Sequence, residues 1–473
     1  MQELYLIGGI ISWIVIALTI IHVIMANGQP AKTMAWALVI FFLPLVGIVL
    51  YFFFGVNHRR ERLVSQHQLD ELSKRSMLSF VGQRNLNVSD AYKPMVDLFV
   101  NQDLSLPFYT SVMDVMTDGY QFVGQLLKDV AAARHHIHLE MYIIEDDALG
   151  NLLADALIER ARNGVEVRVI YDDVGCWKVH RRYFERMREE GIEVSPFLPV
   201  HFPTFTSKLN YRNHRKVIVI DGRVGYIGGM NIAQRYVQGT GDQPWRDTML
   251  RMQGSIVYGL QRTFLIDWYF VDGTLITGRQ YYQGTADTVG GFLAQVVTSA
   301  PTSPYPTIMQ GYISAITSAR SYIYIETPYF LPNEPVLFAL KMAAVAGVDV
   351  CVICPHRSDA RFTEWASRSY LRELSEAGAR VCLYEAGFLH SKLMIVDDAL
   401  ATCGSTNVDF RSFENNFESN VFIYDEVVAR RLRQVFLADL AQSTLFEDVP
   451  SWSRPTFLHR LWESLTRLLS PLL

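Results

Sequence analysis

Two stretches decide how this chain reads: His214-Arg215-Lys216-Val217-Ile218-Val219-Ile220-Asp221 and His390-Ser391-Lys392-Leu393-Met394-Ile395-Val396-Asp397. Both spell H-x-K-x4-D. Both continue at the same spacing, to Gly228-Gly229-x-Asn231 in the first and Gly404-Ser405-x-Asn407 in the second. The apolar run behind each lysine predicts a strand, where residues two apart share a face, so each histidine points the same way as its lysine. Asp221-Gly222 predicts a hairpin turn. The glycines closing the returning strand let a ligand approach the backbone.

Outward from these motifs, further landmarks recur in the same order. Ala133-Arg134 leads to Glu140 as Ala319-Arg320 leads to Glu326; residues 164–170 are matched by 347–353, and 190–194 by 377–381. Amphipathic segments such as 152–162 and 335–346 lie between them. Strands alternating with helices of this length predict an α/β fold with mixed or parallel sheets. A repeat period this long marks a duplicated domain, since solenoid units run to roughly 20–50 residues. The expected architecture is two pseudo-twofold-related α/β lobes, 101–273 and 307–450, with sheets flanked by helices. A linker over 56–100, partly helical, precedes them, and a Gly-, Thr-, Ser- and Pro-rich connection, 274–306, joins them.

Half of the 473 residues are hydrophobic. Much of this excess sits at the N-terminus, where 4–25 and 34–54 are each apolar enough, and long enough, to cross a hydrocarbon core of about 30 Å. Asn27-Gly28-Gln29-Pro30 predicts a turn between them, so 1–55 reads as a two-helix transmembrane hairpin. A cleavable signal is disfavoured because Met1-Gln2-Glu3 is acidic and Ile24-Met25-Ala26 is a poor cleavage site. Arg59, Arg60 and Arg62 follow the second span while the turn carries only Lys32, which predicts cytoplasmic lobes. At the other end, 451–473 reads as an amphipathic helix, with Phe457, Leu458, Leu461, Trp462, Leu465, Leu468 and Leu469 opposite Arg460 and Arg467. It fits an interfacial helix on anionic lipid and equally a terminal helix docked on the protein itself.

A net charge of −5 counts against a nucleic-acid partner. Of the five cysteines, Cys351 and Cys354 form a CxxC on a predicted strand, where residues three apart face opposite ways; neither a redox pair nor a metal site is expected. His135, His136 and His138 are likewise split between two faces of a strand, so no metal is expected there.

One imidazole, one ammonium and one amide thus come from each repeat: His214, Lys216 and Asn231, then His390, Lys392 and Asn407. The set suits a phosphodiester. Lysines neutralise its oxygens and asparagines donate to them as charge builds in the transition state. One histidine attacks phosphorus while the other protonates the leaving alkoxide and later deprotonates the incoming hydroxyl. No cofactor or metal is required, because side chains supply the positive charge. Asp221 and Asp397 complete the signature of the catalytic set and, beginning turns, have a structural role. Ser405 either donates a hydroxyl to phosphate or simply fits its turn. Glu140 and Glu326 either line the cleft or are buried in salt bridges.

At these motifs the chain resembles the phospholipase D superfamily. In its whole layout it resembles the bacterial cardiolipin synthases, through Lys32-Thr33-Met34-Ala35-Trp36, Asn213-His214-Arg215-Lys216, Tyr324-Ile325-Glu326-Thr327-Pro328-Tyr329-Phe330-Leu331-Pro332 and Ser412-Phe413-Glu414-Asn415-Asn416-Phe417-Glu418. The resemblance implies two phospholipase D-like lobes, with His214 as nucleophile and His390 as general acid and base. It also implies an acidic residue beyond each motif that orients a histidine: Asp247, downstream of His214, and Glu418, downstream of His390. The implied reaction moves a phosphatidyl group from one phosphatidylglycerol to the glycerol of another, giving cardiolipin and free glycerol. The implied place is the bacterial inner membrane, with membrane lipid and no nucleic acid as partner. Water or another alcohol as acceptor, or a nuclease activity, stays open at this point, because the motifs themselves do not select the attacking hydroxyl.

Overall fold

The computed structural model describes residues 2–26, 30–55, 90–200, 210–282 and 291–472. The chain forms two compact units, one of Met1–Arg62 with Val200–Tyr211 and one of Leu63–Pro199 with Arg212–Leu473.

In the first unit the helix Gln2–Met25 contains a 21-residue apolar stretch, Tyr5–Met25, long and apolar enough to cross a membrane. The second apolar segment is not one continuous helix. It runs Pro30–Phe42, breaks at Leu43, and resumes as Pro44–Leu50 followed by a π turn, Tyr51–Gly55. The break has a local cause: Pro44 has no N–H, and its ring drives the preceding residue out of the α region. Leu43 accordingly sits at φ −130°. Ile16, Val23, Ile40 and Tyr51 form the buried apolar cluster of this unit. The expected turn at 27–29 and the arginines at 59, 60 and 62 lie outside the described residues.

The second unit is organised around a single 15-stranded sheet. Its strands are β1 (Pro107–Met116), β2 (His136–Met141), β3 (Glu166–Asp172), β4 (Glu193–Phe197), β5 (Lys216–Ile220), β6 (Val224–Gly228), β8 (Met249–Gly254), β9 (Phe292–Ser299), β10 (Tyr322–Glu326), β12 (Asp349–Pro355), β13 (Arg380–Tyr384), β15 (Leu393–Val396), β16 (Leu400–Gly404), β18 (Glu418–Tyr424) and β19 (Ser443–Leu445). Four two-residue strands complete the count: β7 (Trp245–Arg246), β11 (Phe330–Leu331), β14 (Phe388–Leu389) and β17 (Val408–Asp409). From the centre outward, one half reads β1-β8-β6-β5-β2-β3-β4 and the other β9-β18-β16-β15-β10-β12-β13, with β19 added at the edge. The two orders match element for element, which is the pseudo-twofold relation, and the axis falls between β1 and β9, paired antiparallel. Within each half the outer βα crossovers are parallel (β2 with β3 and β4; β10 with β12 and β13) and the hairpins antiparallel, so the sheet is mixed.

Helices cover both faces. Helices Gly119–Ala132, Ala148–Arg162 and Arg181–Glu189 pack on one half, and Thr307–Ser318, Glu334–Val345 and Arg361–Glu376 on the same side of the other. The opposite face is covered by Val257–Asp272 and Glu426–Leu440, whose apolar residues form one cluster spanning both halves. Cys351 belongs to that shared cluster and Cys354 to the cluster on the other face, so the CxxC straddles the sheet.

Two segments lie deeper in the fold than their composition suggests. Helix Lys93–Asp103, at the end of the polar 56–100 stretch, buries Met95 and Phe99 in the core of the second half; residues 56–89 lie outside the described set. Strand β9 occupies the sheet centre although it falls inside the Gly/Ser/Thr/Pro-rich 274–306 connection, of which 283–290 lie outside the described set.

Candidate active site

The site begins with the two hairpins β5–β6 and β15–β16, which carry the repeated motifs. Asp221 and Asp397 both adopt φ 53°, left-handed backbone that Asp tolerates better than most residues. Their carboxylates accept matching sets of backbone N–H bonds, Asp221 from Arg134, His135 and His136 at 2.8–3.0 Å and Asp397 from Arg320, Ser321 and Tyr322 at 2.6–2.8 Å. Each fastens its hairpin to the start of the neighbouring strand. They stand seven residues from the motif histidines along an extended segment, roughly 20 Å at about 3.3 Å per residue. Their place in the signature is thus explained by the fold, and they do not reach the reacting groups.

At the other end of the hairpins the two halves meet. His214 N donates to Phe417 O at 2.9 Å and Phe417 N to Arg212 O at 2.9 Å; His390 N donates to Arg246 O at 2.7 Å and Phe388 N to Pro244 O at 2.8 Å. These are parallel pairings between halves, Asn213 with Phe417 and β14 with β7. Each sets a motif histidine beside the acidic residue of the opposite half. His214 Nδ1 lies 3.0 and 3.1 Å from the two oxygens of Glu418, and His390 Nδ1 lies 2.6 Å from Asp247 Oδ2. The pairing is therefore crossed. Sequence order, which places Asp247 after His214 and Glu418 after His390, does not reveal this, because the partnership is made by contact between halves.

The supporting contacts are specific to each half. Glu418 accepts from Asn416 Nδ2 at 3.1 Å and from the Ser405 hydroxyl. Asp247 accepts from Thr248 N at 2.7 Å and abuts Gly229, where an added Cβ would come within 2.2 Å of Asp247 Oδ1. Ser405, fully buried, thus spends its hydroxyl on a carboxylate. Asn213 donates to Glu140 at 2.6 Å, and Asp172 accepts from Asn213 N at 2.8 Å, which steadies the backbone just before His214. Glu140 and Glu326 lie among buried charges: Arg215 pairs with Asp267 near Glu140, and Arg246 Nη2 lies 2.7 Å from Asp439 and 3.8 Å from Glu326. Burial is the main cause that pushes Glu326 up to about 8 and Glu140 well above the carboxylate range. Both glutamates are elements of charge networks.

Lys216 Nζ donates to His214 O at 2.6 Å and lies 5.1 Å from the Tyr142 ring, which also packs edge-on against His214. Lys392 donates to His390 O and has Nζ 2.8 Å from His390 Nδ1. With Nδ1–H given to Asp247, that last contact is proximity between cation and ring. Asn231 Oδ1 accepts from Ile143 N at 3.1 Å, and its Nδ2 donates to Tyr236 Oη at 2.7 Å; Asn407 Nδ2 donates to Asp409 at 3.0 Å. An amide carries two N–H donors, so each asparagine keeps a second one. Tyr236 Oη is 3.5 Å from His390 Nδ1.

Burial dominates the electrostatics. It lowers His214 to about 4 against the opposing pull of Glu418, and His390 to about 3, with Lys392 pushing the same way and Asp247 opposing. Lys392 also depresses His214, and Lys216 depresses His390, so the two lysines and two histidines share one field. Burial lowers Lys216 to about 7 and Lys392 to about 8, each partly restored by Glu418 and Asp247. Glu418 and Asp247 fall below their ordinary values despite burial, because the histidines and lysines hold them ionised. The resulting site has two neutral imidazoles with Nδ1–H tied to carboxylates and, among the described residues, no hydrogen-bond partner on either Nε2. Two lysines beside two imidazoles whose Nε2 atoms are unshared suit a singly charged phosphodiester.

Tyr142, Tyr236 and Asn416 were not anticipated from sequence. Asn416 could have been, since it lies two residues before Glu418 and so shares its face on an extended segment. Nothing local marked the tyrosines.

Comparison with known proteins identifies the family. The chain matches the family model described as "Cardiolipin synthase, PLD-like domain" twice, over 126–255 and 312–440, and the model "Phospholipase_D-nuclease N-terminal" over 10–55. It is 39% identical to a cardiolipin synthase of Alkalihalophilus pseudofirmus, covering 98% of this chain and 96% of that one. It is 38% identical to the major cardiolipin synthase of Bacillus subtilis, over 97% of each chain. In fold it is similar to a crystal structure of phosphatidylserine synthase from Haemophilus influenzae, with a TM-score of 0.60 and 14% identity, covering 81% of this chain and 100% of that one. With both halves matched and relatives aligned end to end, the chain belongs to the cardiolipin synthase family of the phospholipase D superfamily.

Proposed function

We propose that this phosphatidyltransferase makes cardiolipin and glycerol from two molecules of phosphatidylglycerol through a phosphohistidine. The observation that carries the proposal is the crossed pair of histidine–carboxylate dyads opening on one buried site with two lysines. Nε2 of His214 attacks phosphorus, and the bond from phosphorus to the headgroup glycerol oxygen breaks. His390, protonated at Nε2, gives that oxygen its proton, and glycerol leaves. His390 then takes the proton from the terminal glycerol hydroxyl of the second phosphatidylglycerol. That oxygen attacks phosphorus, the P–N bond breaks, and cardiolipin forms with His214 restored. Lys216 and Lys392 hold the phosphate oxygens, and Asn231 and Asn407 add their second amide hydrogens. Ser405 acts through Glu418, and Asp221 and Asp397 through the fold.

The choice of His214 as nucleophile, and of glycerol as acceptor, rests on resemblance to the family. A bound phosphodiester adds negative charge beside both lysines, which raises the histidines and permits protonation of the one that serves as acid. The apolar N-terminal segments, matched over 10–55 to an N-terminal family model, support a two-helix membrane anchor over 1–55, and Arg59, Arg60 and Arg62 after it favour the cytoplasmic side for the catalytic lobes, 101–273 and 307–450. Purified protein given phosphatidylglycerol alone should release glycerol and accumulate cardiolipin without added nucleotide. Phosphatidic acid as the sole lipid product would overturn the transferase reading in favour of hydrolysis.

A further inference from the structure

The C-terminal helix Phe457–Leu468 is docked inside out. Surface helices turn their apolar stripe to the core and their charges to water. Here the inward face is Glu463, Thr466 and Ser470, each no more than 2% exposed. It is pinned to helix Arg361–Glu376 by polar contacts: Arg372 donates to Glu463 at 2.7 Å, and Arg467 donates to Glu373 at 2.6 Å while stacking 4.0 Å over the Tyr370 ring. The outward face is Phe457, Leu458, Leu461, Leu465 and Leu468, with Phe457 79% and Leu468 77% exposed. Phe362, 60% exposed, continues the row on the neighbouring helix.

The exposed charges on the helix itself are basic, and the exposed acid nearest Phe362 in the chain, Asp359, is bonded to the Tyr329 hydroxyl. Arg454, Arg460 and Arg361 are exposed around the row, and the sole acid between 454 and 472, Glu463, is turned inward. An apolar row bordered by exposed cations complements a layer of acyl chains beneath anionic headgroups. The supporting helix is also joined to the catalytic half. Ser367 Oγ accepts from Phe330 N at 3.3 Å, β11 pairs with β17, and β17 follows Asn407 directly. Tyr329, beside β11, donates to Asp359 at 2.7 Å in the loop that starts this helix.

We propose that the outer face of Phe457–Leu468, with Phe362, lies on an anionic bilayer and holds the second lobe against its lipid. The proposal goes beyond the reaction assigned above, and its test reads depth in the membrane, not product. All five native cysteines are buried, so the full chain can carry a single fluorophore at Leu461→Cys or Leu465→Cys. Val427→Cys, exposed on helix Glu426–Leu440 over the opposite face of the sheet, serves as the reference. In nanodiscs of phosphatidylglycerol and brominated phosphatidylcholine, labels at 461 and 465 should be quenched about threefold more than at 427, as expected for side chains seated at the acyl boundary. Arg454→Glu with Arg460→Glu should abolish the difference between anionic and uncharged nanodiscs. Equal quenching at all three positions overturns the proposal. So does protection from aqueous iodide without bromine quenching, which would mean that a second copy covers the face. Lipid turnover by each labelled protein in detergent micelles verifies folding.

Discussion

The two halves of the site solve one problem differently. In one, Gly229 gives way so that Asp247 can press against the backbone; in the other, Ser405 occupies the matching position and fastens Glu418 with its hydroxyl. Both residues donate their N–H to the residue following the acid, Gly229 to Thr248 O and Ser405 to Ser419 O, each at 2.9 Å. The backbone is thus the same and only the filling differs. Asp247 is positioned by exclusion of a side chain and Glu418 by a bond to one. The duplicated frame fixes where a carboxylate must be, and each half has found its own way to hold it there.

The most damaging way to test this pairing is removal of either histidine. His214→Ala and His390→Ala should each lower kcat by about 10⁴-fold, since nucleophilic and proton-transfer roles do not substitute for one another. No labelled phosphohistidine should be trapped in His214→Ala; label mapped to His390 would reverse the roles. Next come the carboxylates. Asp247→Asn and Glu418→Gln replace the charged acceptor for Nδ1–H with a neutral amide that can also turn its N–H toward the ring, and should cost about 10²- to 10⁴-fold in kcat. Crossed partners predict that Glu418→Gln weakens the attack of His214 itself, while Asp247→Asn, acting through His390, slows both formation of the phosphohistidine and its transfer to the acceptor.

The difference between halves appears at smaller scale. Gly229→Ala, forced against Asp247, should lower kcat by about 10²-fold through misplacement. Ser405→Gly, losing one bond to a charged group, should cost about 1.5–3 kcal/mol, read as roughly 10- to 100-fold. Combining Ser405→Gly with Glu418→Asp copies the first half into the second. If the frame alone sets the geometry, the pair should outperform Ser405→Gly; an equal or poorer rate would show the halves are not interchangeable.

The pH profile tests the shared field. The lysines are needed charged, and burial lowers them, so kcat/KM should fall on the basic side between about 7 and about 8, far below the ordinary lysine value. The sign for stability follows from the histidines. Held at about 4 and about 3 in the folded protein and near 6.5 unfolded, they leave the unfolded chain binding more protons in between. Their contribution is complete above pH 6.5 and is lost as pH falls toward 4, which thermal unfolding across that window measures. The smallest catalytic effect belongs to Asp221→Asn and Asp397→Asn. These loosen a hairpin far from the chemistry, so the melting temperature should drop, by about 1–3 kcal/mol in stability, with kcat retained within a few-fold.

Much of this was legible in the sequence, because the motif spacings encode hairpins whose geometry is local. Strand β5, its turn at Asp221-Gly222 and strand β6 follow from adjacent residues, and their repetition gave the two halves. What escaped was non-local. Strand β9 is central to the sheet, yet glycines, serines and prolines surround it and give it the composition of a connection. The kink at Leu43 was signalled by Pro44 but masked by the unbroken apolar run. The crossed dyads depend on contacts between segments more than 100 residues apart, His214 with Glu418 and His390 with Asp247, and Tyr142 reaches His214 from a different strand, for which no periodicity speaks.

Crossing also has a consequence in time. Chains are made from the N-terminus, and the first lobe has all its strands through β8 once residue 254 is in place. Its histidine nevertheless waits for Glu418, on the strand that follows the last motif. A nascent or truncated chain that ends before β18 therefore holds His214 without its carboxylate, and the dyad of the first half is completed only when the second half, with its own histidine and lysine, is already made.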